Sequence, residues 1–417
     1  MKKHITAILA MVLLSVAAQA QQLTYQQFMQ QVFKQNIPYQ SAQLDLTAAQ
    51  ADLQASSTFS NPVLSAGYSN NSDWDIMMGQ SMSVELSKSF SIGKRYARKQ
   101  VARHNLEAAQ ATLEDYTLAL HAEAAQAFAD ALLARDLASA RHEAWQNMQS
   151  LYHSDSLRAA SGDITPLDVL QSQLEATMAL QEYRSQVAEY RNSLVVLDLY
   201  MGNPAQGTLE VIGQLGCPLR QLSLQGLLDS AVVWRQDLAS AHHMAEAAQS
   251  EVLSVRRERM PDIDLSLGAE YSTRVRNEEA PAPEFVGYSA GLSIPLPIAN
   301  LNRGEVRASQ VRARQAELEA DYLKATIKMQ VLQAYNNYEA ARQQVADYDE
   351  HLMSNAQQVL EGKIYAYRHG QTSLLEVITA QHTLGEIQQA YYNSLHSCMT
   401  AWIALQRAAG IPLPELQ

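Results

Sequence analysis

The sequence predicts a mostly α-helical chain with a β-barrel portion, built as two copies of one strand–strand–long helical hairpin unit. Three observations carry that prediction. First, GDITPLDVLQSQLE from Gly162 and GQTSLLEVITAQHT from Gly370 align without a gap at an offset of 208 (370 − 162), with Asp168 facing Glu376. Second, very long stretches contain neither glycine nor proline. Third, four short stretches alternate apolar and polar residues, the period of a strand with one wet face.

The chain opens MKKHITAILAMVLLSVAAQA, with a basic start at Lys2 and Lys3, an apolar run from Ile5 to Ala17 and a small-residue site at Ala18-Gln19-Ala20. That order is a secretory signal peptide over residues 1–20. Gln21 rather than a cysteine follows, so no lipid anchor is expected there. No later run of about 18 apolar residues occurs, so no transmembrane helix is expected. Loss of two lysines with the leader takes the formal charge from −12 to −14. Phosphate contacts are made by Lys and Arg, so an acidic chain argues against nucleic acid as a partner.

The duplication covers nearly the whole mature chain. LTYQQFMQQVFKQNIPYQSAQLDLTAAQADL from Leu23 aligns with LSLQGLLDSAVVWRQDLASAHHMAEAAQSEV from Leu222, at an offset of 199 (222 − 23). The first repeat is read as 21–220, with a helix, a β-hairpin at about 62–92 and a helical hairpin at about 94–202. The second is 221–417, with its β-hairpin at about 262–297 and its helical hairpin at about 304–410. The second copy is nine residues longer (208 − 199) between strand region and hairpin tip. The extra residues are expected in the Pro-rich loop Arg276 to Phe285, where insertion is best tolerated.

Within each copy the elements follow from composition. Thr24 with Gln27 three residues on forms a capping-box start for the first helix. Lys94 to Ser161 gives 68 residues (161 − 94 + 1) free of Gly and Pro, roughly 100 Å if fully helical. Gly162 breaks that helix and Pro166 opens the next, which runs to Gly202. In the second copy Glu305 to Glu361 is free of breakers, with Gly362, Gly370 and Gly410 as punctuation. Helices this long must pack side by side, as in a coiled coil.

The strands are VLSAGYS from Val63, MSVELSKSF from Met82, DIDLSLGAEY from Asp262 and VGYSAGLSIPL from Val286. Their lengths approach the roughly 9–11 residues of a tilted membrane strand. Four strands cannot close a barrel, and open edges are not tolerated in lipid. Several chains must therefore pool their hairpins, although this argument does not choose how many. Two cysteines, Cys217 and Cys398, allow one disulfide. Their spacing does not show whether they come close, and unpaired, buried thiols are the expectation.

Taken jointly, these features resemble the TolC-like outer membrane efflux family. The residues that carry the likeness are the junction FSIGKRYARKQVARHNLEAA, the junction SIPLPIANLNRGEVRASQVRARQAE and the twice-used turn at Gly162 and Gly370. The second junction is similar to that of the heavy-metal-resistance (Czc/Cus-like) branch. The resemblance implies a homotrimer, with a β-barrel in outer membrane lipid continued by an α-helical tunnel across the periplasm. It implies two partners, a periplasmic adaptor protein and an inner-membrane RND-type pump, and no cofactor.

The same resemblance places Gly162, Asp163, Gly370 and Gln371 at hairpin tips that dock the adaptor. Asp168 and Glu376 would line the periplasmic aperture, where carboxylate rings favour cations and crowded like charges raise one another's pKa. A latch would join Tyr367 to Asp168. Thr372 and Thr379 depart from the family pattern, standing where a latch Arg and a second aperture acid often occur. On the residues alone, Asp168 and Glu376 also suit helix-start carboxylates facing the dipole.

Other readings stand beside this one: a duct for drugs, organic compounds or a type I secretion substrate, and a periplasmic coiled-coil adaptor or scaffold. No metal site is expected. Neighbours on a helix point apart, so His242 and His243 do not share an ion, and His382 and His396 lie about 21 Å apart along one helix. Met77 and Met78 fall in a loop. No GxGxxG, P-loop, HExxH or GxSxG motif occurs, so an enzyme is not expected.

Overall fold

The computed structural model describes residues 21–71, 77–202, 209–297, 301–348 and 350–411. The expected signal peptide lies outside them. In chain order the elements are β1 Gln21–Thr24, α1 Tyr25–Gln35, α2 Ile37–Ser56, β2 Val63–Asn70, β3 Gln80–Phe90, α3 Lys94–Ala160 and α4 Pro166–Tyr200. The second copy follows with β4 Leu209–Ile212, α5 Leu224–Trp234, α6 Gln236–Arg257, β5 Ile263–Ser272, β6 Phe285–Ser293, α7 Arg303–Asp347, α8 Glu350–Arg368 and α9 Leu374–Ala409. The helix, strand, strand, long-hairpin order is therefore present twice. No described helix is long and apolar enough to cross a membrane.

The chain divides into two compact units. One contains Glu114–Arg235, the residues before Gln43 and those from Ala325 onward. Its core gathers Leu23, Phe28 and Val32 with Leu120, Phe128 and Leu132 of α3, Leu197 of α4 and Met399 and Ile403 of α9. The rings of Phe28 and Phe128 stack at 5.6 Å. Alanines at 122, 124, 125, 129 and 131 are all buried on α3, and their small side chains let the neighbouring backbones approach closely. Arg135 donates to the carbonyls of Val211 at 3.0 Å and Gly213 at 2.9 Å, tying β4 to α3.

Thr24 caps α1 as expected: its hydroxyl accepts from the Gln27 amide, and the Gln27 side chain accepts from the Thr24 amide at 3.1 Å. The first helix of each copy is nevertheless split, at Asn36 and at Arg235, positions that differ by the repeat offset of 199 (235 − 36). In the first copy Pro38 sits in the opening turn of α2, where its missing N–H is harmless. The parallel pairing of β1 with β4 was not expected; four residues each are too few for a periodic signal.

The other unit holds Gln43–Leu113 and Gln236–Lys324. It contains one antiparallel sheet in the order β2-β3-β5-β6. The last strand ends at Ser293, short of the expected Leu296, because Pro295 has no N–H to give a ladder. The nine extra residues fall in the hairpin, as expected. Asn70 pairs with Gln80, and the equivalent Ala269 (70 + 199) pairs with Tyr288 (80 + 208). The first pair encloses nine residues (80 − 70 − 1) and the second eighteen (288 − 269 − 1).

Two further expectations are corrected. The long helix of the second copy is interrupted at Tyr348, where the Tyr348 amide bonds back to Val345 at 3.2 Å. Gly362, by contrast, lies inside α8, since one interior glycine costs a helix only about 1 kcal/mol. Cys217 and Cys398 form a disulfide, with Cα atoms 5.6 Å apart. Sequence spacing carries no information on a bridge across 181 residues. Beside it Tyr338 is fully buried and donates to the Arg220 carbonyl at 3.0 Å.

Replacing both cysteines by serine should lower stability by about 2–5 kcal/mol. Thermal unfolding with and without reductant checks this. The wild-type protein should show the reductant effect and the double variant should not.

Candidate functional site

Both hairpin tips are built the same way. Gly162 has φ +83° and Gly370 φ +71°, a left-handed conformation that disfavours a side chain. At the first tip the Gly162 amide bonds to Ala159 O at 3.1 Å and Asp163 N to Arg158 O at 2.9 Å. At the second, Gly370 N bonds to Tyr367 O at 3.0 Å and Gln371 N to Ala366 O at 2.9 Å. This pair of bonds satisfies the last carbonyls of a helix. Gly162, Asp163, Gly370 and Gln371 are all exposed.

The carboxylate six residues on does different work in the two copies. Thr165 caps α4, and the Asp168 side chain accepts from the Thr165 amide at 3.1 Å and from its hydroxyl at 2.8 Å. Asp168 therefore completes a capping box and also suits the helix dipole. Glu376 occupies the equivalent turn of α9, but Ser373 makes no side-chain cap bond there. Glu376 turns instead to Lys363 of α8 and forms an ion pair. The Lys363 ammonium bonded to it holds its carboxyl below the usual range. Within this chain the nearest charge to Glu376 is therefore a cation.

Tyr367 does not meet Asp168. Its hydroxyl donates to Asp155 Oδ1 at 3.1 Å, in a pocket where both residues are buried. Burial pushes the Asp155 carboxyl up, against the pull of the Tyr367 hydrogen bond and the Arg158 charge. Burial and the same carboxylate push the Tyr367 hydroxyl up strongly. Arg158 lies over the Tyr367 ring at 5.1 Å. Around this link pack Met148 and Leu151 of α3, Leu360 of α8, and Leu374 and Val377 of α9. Asp155 was missed in the sequence because nothing in a long helix marks which carboxylate turns inward.

Thr379 is exposed and donates to its own helix, to Leu375 O at 2.8 Å. Thr372 is half-buried at the second tip. A groove between α8 and α9 brings Glu376, Thr379, Lys363, Val359 and Leu375 together. Along α4 the exposed side chains of Leu167, Leu170, Leu174 and Met178 form one apolar stripe.

The sheet is the second functional surface. Its register aligns Tyr68, Met82, Tyr271 and Val286 in one row. Ala66, Val84, Ala269 and Tyr288 form the next, and Leu64, Leu86, Leu267 and Ala290 a third. The larger side chains of this face are exposed, Tyr288 at 86%. The opposite face carries Ser65, Glu85, Gly268 and Ser289 in one row and Gly67, Ser83, Glu270 and Gly287 in the next. Among the described residues β2 and β6 each have a neighbour on one side only.

Residues 227–411 match the profile of a family described as outer membrane efflux proteins. That match takes in most of the second repeat. Its fold agrees over nearly its whole length with the crystal structure of the CusC channel, with a TM-score of 0.74 at 19% identity, covering 93% of this chain and 92% of that one. The cobalt-zinc-cadmium resistance protein CzcC of Cupriavidus metallidurans is 24% identical over 76% of this chain and 74% of its own length. The pyoverdine export outer membrane protein OpmQ of Pseudomonas aeruginosa is 26% identical over 83% of this chain and 73% of its own. An outer membrane efflux protein is a transport component rather than an enzyme.

Two outcomes test the tip. Tyr367→Phe removes one partner of a buried carboxylate and should cost about 1–3 kcal/mol, read as faster hydrogen exchange around Leu151 and Leu360. Glu376→Gln removes a carboxyl whose folded pKa is lowered. Wild type should therefore melt above the variant at neutral pH, and the difference should vanish as pH falls through the Glu376 pKa.

Proposed function

We propose that three copies of this chain form the exit duct of a tripartite efflux system. One observation carries the reading: a four-stranded sheet with an exposed apolar face and, among the described residues, two edge strands that each have a neighbour on one side only. Lipid leaves such edges unsatisfied, so they must pair with the edges of other copies. Three chains give twelve strands, enough to leave an aqueous lumen. The polar face then lines the lumen and the rows of Tyr68, Val84 and Leu86 face lipid.

The helical hairpins continue the duct into the periplasm, and the stripe of Leu167, Leu170, Leu174 and Met178 packs between chains. The exposed tips at Gly162, Asp163, Gly370 and Gln371 meet a periplasmic adaptor, which links the duct to an inner-membrane RND-type pump. Asp168 and Glu376 stand one turn inside those tips, at the aperture, with Tyr367, Thr372 and Thr379 beside them.

Metal cations are the favoured cargo. The likeness to CzcC supports this, as do Glu85, Asp264 and Glu270 on the polar face of the sheet. The likeness to OpmQ supports a second reading, an organic cargo.

Reconstituted channels should be blocked by added multivalent cations, and Asp168→Ala with Glu376→Ala should weaken that block. Unchanged block would remove both residues from the aperture. For cargo, the gene should be deleted and cellular zinc, cobalt, cadmium, copper and nickel measured beside retention of a fluorescent dye. Metal retention with normal dye clearance is expected; dye retention with normal metal would favour the organic reading.

A further inference from the structure

A cluster away from the tips has the geometry of a metal centre. His104 and Glu107 are three residues apart on α3, and His243 and Glu246 three apart on α6. Each pair therefore lies on one helix face, and the two faces meet. His104 Nδ1 is 3.2 Å from Oε2 of Glu107 and 3.2 Å from Oε2 of Glu246. His243 Nδ1 is 3.1 Å from Oε2 of Glu246 and 3.7 Å from Oε2 of Glu107. The four donor atoms all fall within 4.8 Å of one another.

Those separations are the edges of a coordination polyhedron. Zinc bound at about 2.0–2.1 Å by nitrogen and oxygen in a tetrahedron has ligand–ligand edges of about 3.3–3.4 Å. Four of the six donor–donor separations, from 3.1 to 3.7 Å, bracket that value, and the other two lie within 4.8 Å. Without an ion, each imidazole Nδ1 hydrogen-bonds the carboxylate three residues on, at 3.2 Å for His104–Glu107 and 3.1 Å for His243–Glu246. A divalent cation would draw all four atoms to one centre.

The surroundings hold the ligands in place. Arg103 donates to Oε1 of Glu107 at 3.0 Å, which leaves Oε2 turned toward the histidines. Such outer partners orient metal ligands. The two helices are pinned nearby: the buried Ser240 hydroxyl bonds to Ala108 O at 3.1 Å and to Thr112 Oγ1 at 2.8 Å. Only Glu246 of the four ligands is exposed.

We propose that His104, Glu107, His243 and Glu246 bind one divalent transition-metal ion, of which Zn²⁺ fits best, and that the ion clamps α3 to α6. Imidazole and carboxylate ligands suit zinc and its neighbours in the first row, while Mg²⁺ and Ca²⁺ prefer all-oxygen sites. The site is a resident structural centre, separate from the cargo path, and does not depend on what the duct carries. His242 takes no part. The doublet His242-His243 hides the site in the sequence, because the second histidine lies 139 residues earlier (243 − 104).

The test is calorimetric titration of the chelator-treated full-length protein, prepared without a histidine tag, using Zn²⁺ as the probe. One Zn²⁺ per chain is expected. His104→Asn or His243→Asn should weaken binding by about tenfold or more, whereas His242→Asn should leave it unchanged. Zinc should also raise the melting temperature of wild type and of His242→Asn, but not of the two ligand variants. X-ray absorption at the zinc edge should find nitrogen and oxygen at about 2.0–2.1 Å. Equal Zn²⁺ affinity in wild type and both ligand variants would overturn the site, as would binding that Mg²⁺ or Ca²⁺ displaces. Cellular metal retention is a separate readout, so failure here leaves the cargo reading standing, and the reverse holds.

Discussion

Backbone hydrogen bonding at a sheet edge is the constraint on which the rest depends. Each outer strand, β2 and β6, offers a row of N–H and C=O groups with no neighbour in the described chain. In water such a row is an aggregation hazard, and in hydrocarbon it is not tolerated at all. The apolar face adds a second demand, since Leu64, Leu267 and Tyr288 are large and uncovered. Both demands are met together when the edges pair with other copies and the face meets lipid. The long hairpins bury alanines on α3 and leave the apolar stripe of Leu167, Leu170, Leu174 and Met178 on α4 uncovered.

The duplication supplies a framework, and the departures from it supply the chemistry. Both tips end on a left-handed glycine with the same pair of backbone bonds. The side chains on this common frame differ. Asp168 closes a capping box, while its counterpart Glu376 pairs with Lys363. The metal-binding geometry joins α3 of one copy to α6 of the other. The disulfide likewise joins the segment between the copies to the last helix.

Much of the architecture was legible because it rests on period and punctuation. Alternation in DIDLSLGAEY gave β5 to within a residue, and Gly162 and Pro166 marked the end of α3 and the start of α4. What could not be read depends on contacts distant in sequence. Asp155 looks like any other helix carboxylate until Tyr367 is placed against it. His243 looked like half of an unusable doublet until α3 supplied His104. The break at Tyr348 has no Gly or Pro to announce it, and β1 is too short to carry a pattern. The fold class was therefore clear from one chain of letters, while the pairing of site residues was not.

The buried link between Tyr367 and Asp155 has a mechanical consequence. At the repeat offset of 208, Tyr367 corresponds to Ala159 and Asp155 to Lys363 (367 − 159 and 363 − 155). The mirrored link cannot form, because neither a methyl nor an ammonium can replace the hydroxyl–carboxylate pair. In the proposed ring of these chains, stiff seams would alternate with soft ones. Deformation under load concentrates in the soft seams. Such a ring dilates with the symmetry of its chains rather than of its hairpins, like an iris with half of its blades riveted.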